Sequence, residues 1–339
     1  MKKNRFWSLI VIAVVVVIVG FLGTGMVACS GVKEYKLSQG KVYGTYYRIQ
    51  YDWSEDVQDD IRRQLERVDG SLSMFNKRST IARINSGEID STDVLFRAMY
   101  AVAKEVHQKT DGAFDITVAP LVNAWGFGVD NKRMPDSTKV DSILSFVGMD
   151  KVSLVEGRLI KSDTRIKLDA SSIAKGFGID IVAEYFDGLG VNNYLIDIGG
   201  EVRVKGVNTK GSKWKIGIEK PFDETSFEKR GVELVLAFSK GAIATSGNYR
   251  NYYVRGGQKY AHTINPKTGY TIQTEVLSAS VYSDNCMLSD AYATAFMVMG
   301  YEKSRSLVEA DSSLEACLIY LEDDKLKVWT SPGLPQSNK

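Results

Sequence analysis

The stretch Tyr194-Leu195-Ile196-Asp197-Ile198-Gly199-Gly200-Glu201-Val202-Arg203-Val204-Lys205 decides the fold class. Two runs of strand-forming residues, Tyr194–Ile198 and Val202–Lys205, flank a Gly-Gly pair. Such a pair permits a tight turn, a bulge or close approach of the backbone to a ligand. Further strands are expected at Lys213–Ile218, Val232–Phe238 and Tyr249–Arg255, with Thr245–Arg250 as a polar loop between strands. Gly256-Gly257 then joins Tyr249–Arg255 to Lys259–Ile264, a hairpin signal that implies antiparallel pairing. Val276–Ser283 is another strand, followed by a helix ending at Gly300, a helix near Glu302–Glu309 and two closing strands. Strands that cluster in this way, without strict alternation with helices, read as an α+β fold of mainly antiparallel sheets with packed helices. No internal repeat is visible at a fixed period.

The N-terminal half reads as a strand followed by amphipathic helices. Tyr43–Tyr51 is rich in strand formers. Ser54 is placed to cap a helix whose apolar positions Val57, Ile61, Leu65, Val68 and Leu72 follow 3.6-residue spacing. A polar loop at Asn76–Thr80 leads to a short turn of structure near Ile84. Thr92 or Asp93 starts a second amphipathic helix with Val94, Leu95, Met99, Val102 and Val106 inward. His107 falls near the end of that helix and is expected to be solvated. Short strands at Val152–Val155 and Arg165–Leu168 precede a helix from about Ser171 to Phe186.

The composition is that of a globular chain: 44% apolar, 25% charged and six prolines in 339 residues argue against extensive disorder. A net charge of +2 without a basic stripe gives no nucleic-acid footprint, so no nucleic-acid partner is expected. Lys2, Lys3 and Arg5 precede an apolar run from about Leu9 to Leu22 that ends in Met26-Val27-Ala28-Cys29-Ser30. This order of charge, apolar run and small residues before a cysteine looks like a bacterial lipobox, with residues 1–29 as signal peptide and Cys29 as the lipidated (palmitate-bearing) new N-terminus. An uncleaved signal anchor is the alternative, and either places the domain outside the cytoplasm, on the periplasmic side, tethered to a membrane. Residues 30–40 then read as a linker and 41–335 as a single domain. Cys286 and Cys317 could pair in an oxidising compartment or stay buried as thiols. No Cys/His cluster has zinc spacing.

Several polar constellations carry chemistry. Asp111-Gly112-Ala113-Phe114-Asp115 lies past a helix stop, and Trp125-Gly126-Phe127-Gly128 could stack on a planar ring or sit in the core. Asp169-Ala170-Ser171-Ser172-Ile173-Ala174-Lys175-Gly176 lies at a strand-to-helix junction. There the helix N-terminus favours anions, and Lys175 calls for an anion or carboxylate to answer it. The residue order is not a Walker A loop. His262, one of two histidines, opens His262-Thr263-Ile264-Asn265-Pro266-Lys267-Thr268-Gly269, a turn sequence. Asp290 and Thr294 are four apart on an apolar helix, so their oxygens share a face, and a carboxylate with a hydroxyl suits a hard cation such as magnesium. Singly, each of these is also explained by capping, by a back-bonded hydroxyl or by an ordinary strand histidine.

Taken together and in order, these stretches resemble the ApbE family of FAD:protein FMN transferases. The resemblance rests on Gly44-Thr45, Ser73–Asn85, Asp111–Gly128, Asp169–Gly176, Ile196–Glu201, Ala244–Tyr252, His262–Gly269 and Ser289–Thr294, which run from about residue 43 to about 300. It implies a T-fold-like α+β domain that uses FAD as substrate and Mg2+ as cofactor. It further implies FAD contacts at Tyr43, Phe75, Ala113 and Phe114, and at Asp115, Asp169, Lys175 and His262. Magnesium would be bound by Asp290, Thr294 and the backbone carbonyl of Ser172, with His262 as the catalytic candidate for proton transfer or phosphate orientation. Tyr43 stands where many relatives have methionine, and Ser172 where alanine is common. Phe75 stands where tyrosine is frequent, which keeps ring contact without a phenol. The implied activity is transfer of FMN to a threonine of an acceptor flavoprotein with release of AMP, and a membrane redox subunit is the natural partner for a tethered enzyme. FAD diphosphatase activity on the same scaffold and flavin capture without chemistry are the alternatives.

Overall fold

The computed structural model describes residues 34–128, 134–221, 231–248, 252–255 and 258–337. In chain order the elements begin with β1 (Lys36–Val42), β2 (Thr45–Tyr51), α1 (Gln58–Leu72), α2 (Thr80–Ser86) and α3 (Val94–Lys109). Next come α4 (Ala119–Ala124), α5 (Ser137–Leu144), β3 (Val152–Val155), β4 (Arg158–Lys161) and α6 (Ala174–Leu189). The strands β5 (Tyr194–Ile198), β6 (Glu201–Lys205), β7 (Trp214–Glu219), β8 (Val232–Phe238), β9 (Lys240–Gly247), β10 (Tyr252–Arg255) and β11 (Gln258–Ala261) follow. The chain closes through β12 (Val276–Ser283), α7 (Cys286–Met299), α8 (Tyr301–Ala310), β13 (Glu315–Glu322) and β14 (Lys325–Thr330).

Eight of these strands form one sheet in the order β1-β2-β5-β6-β9-β12-β13-β14, and every neighbouring pair is antiparallel. This bears out the α+β reading. The fold-deciding stretch is the hairpin β5–β6, with Ile198 opposite Glu201 across Gly199-Gly200 at φ 65° and 104°, values that favour glycine. One face of the sheet carries the helices. Ile61 and Leu65 of α1 and Ile179, Val182 and Phe186 of α6 pack on Ile49, Tyr51, Tyr194 and Ile196. On the other face the β7–β8 hairpin closes a second core, with Trp214, Ile218, Leu236 and Phe238 against Val202, Val204 and Ile319. The largest core joins α3, the loops around Phe114 and Ile173, and Tyr292 and Phe296 of α7.

The structure departs from the sequence reading in instructive places. Residues 36–40, read as linker, belong to β1, which pairs with β2 along its whole length. Its composition is polar because it is an edge strand, and Gly40 leaves room for the Tyr47 ring, which would meet a Cβ at 2.6 Å. The strand read at Tyr43–Tyr51 starts only at Thr45, because Tyr43-Gly44 form the β1–β2 turn, both residues at positive φ (50° and 75°), as a two-residue hairpin loop requires. Ser54 does not cap α1, which begins at Gln58, and Val94 is 61% exposed while Phe96 and Tyr100 turn inward. Asp93 is the cap of α3, accepting from the Phe96 amide. The strand expected at Arg165–Leu168 is displaced to β4, which turns back on β3 through Glu156-Gly157. Leu168 is instead clamped by Asn85, whose side chain donates to its carbonyl and accepts from its amide at 2.8 and 2.7 Å. Thr245–Gly247 lies within β9, opposite β12, and is not a loop. Cys29, Tyr249-Arg250 and Gly256-Gly257 lie outside the described residues. No helix among the described residues is long and apolar enough to cross a membrane.

Candidate active site

A cleft of about 780 Å³ opens where the N-terminus of α6, the β5–β6 turn, β9, the segment after β11 and the middle of α7 converge. Its floor is electrostatic. The Lys175 ammonium, one residue into α6, lies 2.8 Å from Glu201 Oε1 and 3.8 Å from Asp290 Oδ1. A cation at a helix N-terminus is unfavourable unless answered, and these two carboxylates answer it. Burial works against the lysine's charge, but Asp290 and Glu201 more than offset it and hold its pKa above the ordinary lysine range. Burial conversely raises Glu201 to about 7 even with Lys175 beside it. Two acids against one base leave the floor electron-rich, which favours a further cation.

Helix α7 delivers Asp290 and Thr294 on one face. Asp290 is not an N-cap: Asn285 caps the helix by accepting from the Leu288 amide, and Asp290 sits a turn further in, 2% exposed. Its Oδ2 accepts the Gly176 amide at 3.0 Å, which leaves Oδ1 toward Lys175 and the cleft. Thr294 Oγ1 lies 3.2 Å from Ser246 Oγ on β9, so its hydroxyl is turned to the sheet side of the cleft. The start of α7 is held by Asp180 of α6, which accepts the Cys286 and Met287 amides at 2.9 and 2.8 Å and pairs with Arg203 of β6. Burial raises the Asp180 pKa, opposed by Arg203 and the two amides.

The opposite wall is built from the loop after α3. His107, expected in solvent, is instead tethered: its Nδ1 lies 2.8 Å from the Phe114 carbonyl, to which it donates as the Nδ1–H tautomer. Asp115 is consumed structurally, Oδ1 accepting from the Thr117 amide and hydroxyl and Oδ2 from the Met149 amide. Burial raises its pKa against those bonds. Ala113 and Phe114 border the cleft with it. Asp169 is buried at the cleft edge, accepts from the Ser171 amide at 2.8 Å, and has its pKa raised by burial, with His262 pulling the other way. The His262 ring meets the Phe127 edge at 6.4 Å between centroids, and Phe127 lines the cleft while Trp125 is core, donating its indole N–H to the Gly269 carbonyl. The Pro-Lys-Thr-Gly turn is further tied down by Lys267 to Asp111 at 2.6 Å.

The structure thus brings Phe75, Ala113, Phe114, Asp115, Asp169, Ser172, Lys175, His262, Asp290 and Thr294 to one cleft. Phe75 is 70% exposed at its mouth. Tyr43 is the exception: its hydroxyl donates to the Leu65 carbonyl at 2.9 Å, its ring covers Gly178, and it is absent from the lining. The i,i+4 helix positions that made Asp290 and Thr294 visible have no counterpart for Glu201, Ser246, Asp180 or Arg203. Their partners are distant in sequence, and no local pattern marks them. Cys286 and Cys317 are free buried thiols, burial pushing Cys317 up to about 12 and Cys286 well above the usual thiol range.

An ammonium at a helix N-terminus, a buried carboxylate with a hydroxyl four residues on, and a histidine across the cleft are groups chemically suited to a phosphate-bearing ligand, here on an antiparallel α+β scaffold. The chain belongs to the ApbE family, whose model matches residues 43–318. A FAD:protein FMN transferase of Vibrio cholerae is 35% identical over 317 residues, covering 90% of this chain and 93% of its own length. One from Haemophilus influenzae is 34% identical, covering 86% of this chain and 88% of its own. Among solved structures, flavin transferase ApbE from Vibrio cholerae matches with a TM-score of 0.80 at 34% identity, covering 88% of this chain and 97% of that one. Pseudomonas stutzeri flavinyl transferase ApbE in its apo form matches with a TM-score of 0.79 at 28% identity, covering 88% of this chain and 95% of that one.

Proposed function

We propose that this chain transfers the FMN moiety of FAD to an acceptor protein and releases AMP. The observation that carries the reading is the convergence of Lys175, Asp290, Thr294, Asp169 and His262 on one cleft, in a chain whose relatives bear that activity over nearly their whole length. The cleft has the volume of a site for a large dinucleotide.

The residues present fit a magnesium ion. Asp290 Oδ1 and the Thr294 hydroxyl are hard oxygen donors beside an electron-rich floor. Among the described residues no group of three acids, histidines or cysteines forms a closed metal cage. That suits magnesium, which retains waters and substrate oxygens. Asp290, Thr294 and the Ser172 carbonyl would hold it, and when bound it would neutralise pyrophosphate oxygens. Lys175 at the α6 N-terminus attracts the same diphosphate. His262 takes the proton of the attacking hydroxyl at a ring nitrogen, and the Asp169 carboxyl lies buried at the edge of the same cleft. The acceptor oxygen–phosphorus bond forms at the FMN-side phosphorus, and the bond to the bridging oxygen breaks with departure of AMP.

The acceptor hydroxyl is a threonine of another protein, since this chain shows no Ser/Thr-Gly-Ala-Thr-like stretch. The lipobox-like segment ending at Cys29 supports an extracytoplasmic enzyme on a lipid anchor, facing a membrane redox subunit. Incubating the purified chain with FAD, magnesium and a candidate acceptor, then measuring AMP, free FMN and acceptor mass, tests the reading. AMP with a heavier acceptor supports it. AMP with equimolar free FMN means hydrolysis, and neither product means a binder.

A further inference from the structure

Glu201 has two oxygens with different fates. Oε1 is committed to the Lys175 ammonium at 2.8 Å. Oε2 has no hydrogen-bond partner among the described residues, although the side chain is only 6% exposed and borders the cleft. A buried carboxylate oxygen without a donor is costly, and such atoms in a binding cleft are normally answered by a ligand. Gly200, whose missing Cβ leaves the turn beside it uncovered, lines the cleft together with Glu201.

We propose that Glu201 Oε2 is a hydroxyl-recognition point of the cleft, accepting a hydrogen bond from a ligand hydroxyl bound beside Lys175. The inference rests on the FAD reading above and adds to it the group that Glu201 recognises. Diphosphate oxygens carry no donor and repel the carboxylate, so they gather at Lys175 and leave Oε2 to a neutral O–H. Two sources present one: the sugar and ribityl hydroxyls of FAD, and the side-chain hydroxyl of the acceptor.

Glu201→Gln tests this with little change of shape. The ammonium can only donate, so it claims the amide oxygen and turns the NH2 group toward the cleft. The ligand hydroxyl then has to turn and accept from that NH2, and a charge-assisted bond is replaced by a weaker neutral one. FAD affinity is read by flavin fluorescence quenching, and transfer by AMP release and acceptor mass. If FAD supplies the hydroxyl, its Kd rises about tenfold or more. If the acceptor supplies it, the FAD Kd stays within about twofold while the transfer rate falls about tenfold or more. Both quantities remaining within about twofold of the unaltered enzyme overturns the proposal, and so does a loss matched by an equal loss of magnesium affinity, which would make Oε2 a cation ligand. Should Glu201→Gln fail to give a cooperative melt, Glu201→Asp carries the same readings, since it keeps a carboxylate for Lys175 but withdraws from the cleft. Absence of AMP from the unaltered enzyme would refute the transferase reading, while the comparison of FAD affinities still decides the role of Glu201.

Discussion

Gly176→Ala probes the joint on which the site hangs. Gly176 lies in the first turn of α6, where its amide donates to Asp290 Oδ2. An added Cβ would stand 2.3 Å from the Cys286 carbonyl oxygen, 2.6 Å from its carbon and 2.9 Å from Asp290 Cβ. Two of these are backbone atoms of the first residue of α7, and Asp180 fixes that backbone through the Cys286 and Met287 amides, so no flexible tip can swing away. Bringing the closest contact from 2.3 Å to even 3.0 Å separates the two helices by about 0.7 Å. Overpacking of this kind costs about 1–3 kcal/mol or more, and the rigid neighbours place it at the upper end. At about 2–4 °C per kcal/mol the melting temperature should fall by roughly 5–10 °C. Asp290 moves with α7, and a displacement near 1 Å of a reactive group costs on the order of a hundredfold in rate. Gly188→Ala is the control, because the same helix leaves nothing within 4 Å of its Cβ, so stability should hold or rise slightly. Calorimetric melting and AMP release for both variants check this. A Gly176→Ala enzyme that melts with the unaltered one and releases AMP at the full rate would refute the packing argument.

Asp290→Ala should abolish magnesium-dependent AMP release while the chain still melts cooperatively; AMP at the normal rate would remove Asp290 from the site. Asp180→Ala removes the acceptor for two buried amides and leaves the half-buried Arg203 without its carboxylate, so stability should drop by about 2–4 kcal/mol in urea titration. Activity should fall with it although Asp180 does not line the cleft. Glu201, raised from 4.5 to about 7, binds its proton more tightly folded than unfolded. Its contribution to stability is therefore fully present below about pH 4.5 and lost as pH rises through about 7, by at most about 3 kcal/mol. Without magnesium, urea midpoints measured between about pH 5 and 7.5 should decline less for Glu201→Gln than for the unaltered chain.

The strands that were legible were those whose burial the composition records. Tyr194–Ile198, Val232–Phe238 and Val276–Ser283 are apolar or alternating, and they stand where expected. β1 hid because an edge strand has one solvent side and little need of apolar residues. Thr245–Gly247 looked like a loop because its hydroxyls serve the cleft, yet its backbone is laddered to β12. At the site, Asp290, Thr294, Lys175 and His262 were visible through helix periodicity, helix electrostatics and scarcity. Asp180 with Arg203, Asn85 with Leu168, and His107 with Phe114 were not, since each pairs a side chain with a partner brought near only by the tertiary fold. Tyr43 was placed at the site by resemblance, and the turn it occupies carries its hydroxyl to Leu65 instead.

The most direct measurement of the central claim is peptide mass spectrometry of an acceptor protein after incubation with FAD, magnesium and the enzyme, with AMP quantified in the same reaction. The account predicts FMN joined through its phosphate to a threonine oxygen of the acceptor, one AMP for each modified chain, and neither product with Asp290→Ala. AMP accompanied by free FMN and an unmodified acceptor would contradict it.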